Sequence, residues 1–460
     1  MKPLLYSLLI AAMAQLLSPG LYAQQPELQY FRPWDKRGIN MFEPSKTAEQ
    51  PEFTGFKIRI GGAFTQDFQY FKHSNTPSYA PLSQTDKTNR NFLYGVVAAE
   101  DSTSATLAGF NLAMANLNID IQIADGIRVC LENYMSSRHH SEFWVKGGYI
   151  QMDKLPMLGN PEWFAKYLRV KIGHFQPNFG DMQFRRTDGG NTMFNPFVEN
   201  TILDAFTTEI GGEAYVFPVK GLMGMVGMSS GLINGNIENY PETPIGSNLE
   251  PTKRNPSVYA KVAYDNAVTE DLRIRVSASM YNNASIQRNT LYGGDRTGSH
   301  YFMVMEPAKT AAAAASYSAN FTSGRLNPGL NNRINTVVVN TFIKFKGLEV
   351  FGAYEAAKGR NYNEEIGAER TFNQLCAEGV YRFLPDEQLY VGARYVTVTG
   401  TLQGYSSEVS VARLAAVAGW FPTPNMLLKV EYASQTFEGF TDHRNGGKFN
   451  GVVVEAVIGF

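Results

Sequence analysis

Cysteine is nearly absent: Cys130 and Cys376 are the only two in 460 residues, so no disulfide framework carries the fold, whatever the redox compartment. They are expected to be free packing thiols. Beyond the first two dozen residues no apolar run approaches the ~18 residues that a membrane helix needs, which excludes helical anchoring. Neither sign of charge dominates, with 41 Lys and Arg against 42 Asp and Glu; a nucleic-acid partner is therefore not expected. Histidines number six, and no Gly-x-Ser-x-Gly, His-Glu-x-x-His or phosphate-cradling glycine loop occurs. No cofactor, metal or catalytic residue is expected, and the chain is not read as an enzyme. His139 and His140 are adjacent, but neighbours on a strand point to opposite sides, so a surface role outweighs ligation.

What is present begins with a leader. Met1 and Lys2 precede an apolar stretch from Leu4 to Leu17, then Ser18-Pro19-Gly20 and Leu21-Tyr22-Ala23, the layout of a signal peptide over 1–23. No cysteine ends it, so a lipid anchor is disfavoured. The segment 24–54 is polar and carries Pro26, Pro33, Pro44 and Pro51, which bars a long helix or strand. It is expected to be a periplasmic lead-in, too short to fold as a plug domain with a core of its own.

From there to the end the chain alternates. In 450-NGVVVEAVIGF-460 one parity reads Val452, Val454, Ala456, Ile458, Phe460 and the other Gly451, Val453, Glu455, Val457, Gly459, the period of a strand with lipid on one side. Similar runs occupy 55–71, 106–123, 126–136, 141–152, 167–175, 210–217, 222–229 and 255–265. Eight more cover 270–282, 334–345, 347–359, 371–383, 388–399, 409–420, 425–435 and 448–460, sixteen in all. Most connections after even-numbered runs are short turns such as Pro385-Asp386. Those after the first, fifth, seventh and ninth runs are roughly 25 to 50 residues, far beyond ordinary loops. Two sides of a membrane explain the asymmetry: an up-and-down antiparallel barrel over 55–460 in a Gram-negative outer membrane, with both termini periplasmic. The connections 153–166 and 137–141 break the pattern, and a sandwich or a β-solenoid is the alternative. The mean hydropathy is negative, as expected when strands show lipid only at every second residue.

Sixteen strands close around a water-filled interior, and permeation of small hydrophilic solutes is the default function. Parity turns Lys57, Arg59, Arg169, Lys171, Arg273 and Arg275 inward, with Arg128, Lys146, Lys261, Lys344, Arg382, Arg394, Arg413 and Lys429. Against them stand Asp120, Glu132, Glu142, Glu213, Glu349, Glu355, Glu378, Glu431 and Glu455. A basic excess favours anions weakly, unless the charges simply pair across strands. The third outer connection, 176–209, contains Phe179, Phe184, Phe194, Phe197 and Phe206 among glycines and prolines. A solvent-exposed loop cannot hide that apolar surface, so the loop is expected to bend inward and set a constriction with Arg185, Arg186, Asp181, Asp188 and Glu199. The alternative is that its aromatics pack against neighbouring loops above the barrel.

The junction 171-KIGHFQPNFG-180, the terminal Phe460 and the sixteen-run layout resemble the porin superfamily that includes the phosphate-selective porins. The stretches 29-QYFRPWDKRGINMFE-43 and 184-FRRTDGGNTMFNPFVEN-200 are similar to a porin-like outer-membrane branch. The resemblance implies a homotrimer in outer-membrane lipid, with a third loop that narrows the pore and cations that guide anions. The acids beside Arg185 and Arg186 weaken the case for phosphate in particular. A transporter for a hydrophobic solute, or a barrel enzyme with a loop-borne site, are the rival functions.

Overall fold

In the computed structural model the described residues are 25–76, 104–139, 142–187, 190–230, 254–286, 288–294, 297–306, 321–365 and 367–460. The expected leader 1–23, Asp188, His140 and the alanine run 311–315 lie outside them. The first eight strands are β1 (Lys57–Ser74), β2 (Ser104–Ala124), β3 (Ile127–Ser136), β4 (Trp144–Met152), β5 (Leu168–Phe175), β6 (Glu209–Val216), β7 (Leu222–Ser229) and β8 (Ser257–Ala267). The rest are β9 (Leu272–Asn283), β10 (Arg333–Phe345), β11 (Leu348–Arg360), β12 (Arg370–Phe383), β13 (Leu389–Gly400), β14 (Val409–Thr423), β15 (Met426–Glu438) and β16 (Lys448–Gly459).

Every strand pairs antiparallel with its sequence neighbour, and β1 closes on β16, so the sheet is a sixteen-stranded barrel without an edge. Closure is what lets strands cross hydrocarbon, because it leaves no backbone donor or acceptor unpaired toward lipid. At the seam Asp67 stands opposite Glu455, and Gly62 and Phe460 exchange two backbone hydrogen bonds of 3.1 Å. The outward rows are apolar and exposed, as at Val337, Val339 and Ile343 on β10 or Val452, Val454 and Ile458 on β16. Such a surface is the outside of a transmembrane barrel. Among the described residues no helix is long and apolar enough to cross a membrane. The connection 153–167 differs from the other turns on its side: it carries one short helix, α1 (Glu162–Tyr167).

The interior departs from the expectation of an open, water-filled cylinder. Inward residues of β9 to β16 and of β1 are mostly buried, and many are apolar, such as Ile334, Val338 and Phe342 on β10 and Phe71 on β1. They pack against described residues of the lead-in and of the connections that enter the lumen, over 25–54, 176–187, 190–208, 288–294, 297–306 and 321–332. The lead-in, expected on the periplasmic side, runs inside the wall: Gln29 N–H donates to Gln122 (2.8 Å) and Asn40 to Glu349 (2.6 Å). The size argument against a plug required the segment to build its own core. It uses the wall's instead: Phe42 meets Phe342 and Phe184 edge-on, with ring centroids 5.7 and 5.8 Å apart. Glycine makes room for it at the seam, where a Cβ on Gly61 would meet Trp34 Cδ1 at 2.2 Å and one on Gly459 would meet Trp34 O at 2.5 Å.

Candidate functional site in the barrel lumen

Almost without regular structure, the connection 176–208 has backbone groups that need partners, and the inward polar row provides them. Gly180 N–H donates to Ser279 (3.1 Å), Asp181 N–H to Asn340 (2.9 Å), Val198 N–H to Glu431 (2.8 Å) and Leu203 N–H to Gln374 (2.7 Å). In return Arg394 donates to Glu199 O (2.7 Å) and Arg413 to Asn200 O (2.8 Å). Its aromatics pack on the wall rather than above it, as Phe179 does against Tyr281.

Of the residues expected at a constriction, the four described are deeply buried and ion-paired. Arg185 reaches Glu378 at 2.5 Å with its guanidinium 4.5 Å from the Phe351 ring centroid. Arg186 pairs with Asp204 at 2.9 Å. Asp181 accepts two hydrogen bonds of 2.8 Å from Arg275 and lies 2.8 Å from Lys261. Glu199 binds Arg325 at 2.7 Å, Ser299 at 2.6 Å and the His300 N–H at 2.7 Å. These groups fasten lumen segments to one another and to the wall. Burial tends to raise the carboxyl of Glu199, yet Arg325 and its other partners hold it at about 2.

The wall cations are where parity puts them, and most have partners. Arg169 binds Asp153 (2.9 Å) and Pro44 O (2.8 Å); Arg273 binds Asp265 (2.7 Å) and Asn40 O (2.9 Å). Arg275 also reaches Glu43 (2.9 Å), which lies 2.9 Å from Lys261 as well. Arg59 stacks 5.2 Å from the Phe31 ring centroid. Lys57 sits at the rim, 3.4 Å from Glu27 O. Lys171 has its nearest carboxylate, Glu213, at 4.0 Å and lies over the rings of Phe175 (4.1 Å) and Tyr149 (4.3 Å). Of the acids assigned inward, Glu142 is the exception: it precedes β4 and is exposed.

Among the described residues the lumen is not filled throughout. Between β2–β6, the lead-in and the loop lies a cavity of about 170 Å³ lined by Arg32, Arg128, Lys146, Arg169 and Lys171, by Glu43, Asp120 and Glu132, and by aromatics including Phe31, Trp34, Tyr149 and Phe175. Five cations against three carboxylates give it the basic excess expected of the whole wall. Glu43 holds the lead-in at its edge. Burial raises its carboxyl, but Arg275 and Lys261 outweigh that and hold it below the usual carboxylate range.

No protein-family model matches the chain, and no curated protein does. Among solved structures it is similar to an anion-selective porin from Comamonas acidovorans, at 10% identity and TM-score 0.49, covering 88% of this chain and 100% of that one. It is similar to the outer-membrane channel DcaP of Acinetobacter baumannii, at 11% identity and TM-score 0.48, covering 90% and 100%. It is also similar to OmpT of Vibrio cholerae in its trimer form, at 8% identity and TM-score 0.47, covering 88% and 100%. At TM-scores below 0.5 no functional property passes from them to this chain.

Three features of the lumen escaped the sequence reading. The lead-in's Glu43 could not be placed without knowing that the segment turns inward. His300 carried no motif, yet its Nδ1 lies 2.6 Å from Glu455 and 3.0 Å from Asp67. Asp67 was legible in principle, since it shares the inward parity of Arg59 on β1.

Proposed function

We propose that this barrel is an outer-membrane channel for small hydrophilic solutes, with a weak preference for anions and a narrow passage. The observation that carries the reading is the basic cavity beside β2–β6 inside a closed, lipid-faced cylinder. Its walls hold cations over aromatic faces, a setting that suits a small anion with apolar surface. Lumen segments pack against much of the wall, so conductance is expected to be well below that of an open sixteen-stranded cylinder. Gln25, the first described residue, and Phe460 lie on the short-turn side, which we read as periplasmic. A homotrimer is part of the proposal, and native mass of the detergent-extracted protein tests it.

Planar-bilayer recording tests the function. Small ohmic steps whose reversal potential in a salt gradient reports anions support the reading, and cation preference overturns the anion part. Absence of steps, together with uptake of an apolar solute by reconstituted vesicles, supports the hydrophobic-solute alternative. We read the chain as a conductor rather than a catalyst; saturable turnover of a solute by the purified protein would reverse that.

A further inference from the structure

Asp67 on β1 and Glu455 on β16 are a directly opposed pair at the closure seam, both with carboxylates turned into the lumen and both fully buried. Two like charges in that position repel each other unless a proton or a cation is shared between them. The stretch 297–306 delivers His300 there, itself fully buried, with Nδ1 2.6 Å from Glu455 Oε2 and 3.0 Å from Asp67 Oδ2. A single ring N–H cannot serve two carboxylates well. Asp67 Oδ1, moreover, accepts no hydrogen bond from any described residue. The ligand atoms of the three side chains all lie within 4.8 Å of one another.

We infer that Asp67, His300 and Glu455 form a binding site for a divalent transition-metal ion of the zinc class. One imidazole nitrogen and two carboxylate oxygens are a usual donor set for zinc. Bonds of ~2.0–2.1 Å place tetrahedral ligand atoms about 3.3 Å apart, so the spacing of Nδ1 from Asp67 needs to open by about 0.3 Å and that from Glu455 by about 0.7 Å. Lys429 occupies the other oxygen of Glu455, where it acts as an outer partner that fixes the ligand's orientation. Binding at Nδ1 displaces the proton held there. The fourth position is left to water. A metal here joins three parts of the molecule that are remote in sequence: the first strand, the last strand and a lumen segment. It would staple the filling of the lumen to the seam that closes the barrel. The site is independent of any conduction property, so failure of the channel reading leaves it untouched.

The experiment uses the full mature chain in detergent, stripped with a strong chelator during refolding and then dialysed against zinc. Elemental analysis is expected to give about one zinc per chain, in line with a single three-ligand site, and His300→Ala and Asp67→Asn are expected to lose it. Heat-modifiable gel migration identifies variants that still form the barrel. Should neither variant fold, the wild-type chain decides alone: refolding with cobalt in place of zinc is expected to produce the visible absorption of a four-coordinate nitrogen–oxygen site. Wild-type protein without stoichiometric zinc and without that absorption would overturn the proposal. So would a folded His300→Ala protein that keeps wild-type zinc content.

Discussion

Substituting Glu43 by Gln tests whether the lead-in is a stopper held by charge. The carboxylate sits 2.9 Å from both Lys261 and Arg275 and accepts a hydrogen bond from Asn178 at 3.0 Å, with its side chain 5% exposed. Arg275 and Lys261 hold its carboxyl below the usual carboxylate range, and a hydrogen-bonded ion contact of this kind stabilises the docked state by about 1.5–3 kcal/mol. The neutral amide keeps the volume and one acceptor. Asp181 still neutralises Lys261 and Arg275, so little of the loss comes from stranded cations. Losing that contribution corresponds to roughly a ten- to hundredfold rise in the undocked population. Single-channel recording is expected to show a larger conductance state, rare in the wild type and frequent in Glu43→Gln. The sign with pH follows from the lowered carboxyl. Its contribution is complete above 4.5 and is lost as pH falls below the usual carboxylate range, so strong acid should bring out the same state in the wild type. If the conductance histogram of Glu43→Gln matches the wild type at neutral pH, the ion cluster does not hold the lead-in and the reasoning fails.

Other expectations follow from the same geometry. Arg185→Ala leaves Glu378 with Arg394 at 2.8 Å, so the cost should stay near 1–3 kcal/mol, read as a lowered denaturation midpoint, with the barrel still assembled. Lys171→Glu reverses one of the five cavity cations and should move the reversal potential toward cations; an unmoved value would place conduction elsewhere. Gly38→Ala sets a Cβ 2.2 Å from Pro33 O and 2.7 Å from Phe194, an overpacking of about 1–3 kcal/mol that should loosen the lead-in from the loop and increase conductance without loss of the heat-modifiable band.

How much was readable from sequence depends on the range of the forces involved. The strands were legible because alternation is local: the run at 222–229 coincides with β7, and 448–460 differs from β16 by a single residue. Parity likewise placed Arg169, Lys261 and Arg394 inside, since a strand turns successive side chains to opposite faces wherever it lies. The aromatic content of 176–209 announced that the loop needed a surface to cover it. Which surface it found, and which charge met which, involves residues up to hundreds of positions apart, as with Arg185 and Glu378.

By itself, then, the sequence determined a closed barrel, its strand number and the side on which each strand residue lies, because lipid and backbone hydrogen bonding impose those rules on every short stretch. Only the tertiary structure decided that the cylinder is largely full. Whether an inward charge faces water or a partner depends on which remote segments enter the lumen. Glu43 arrives there on a segment whose local pattern carries no address, and Asp181 and Glu199 meet partners, Arg275 and Arg325, that are remote in sequence.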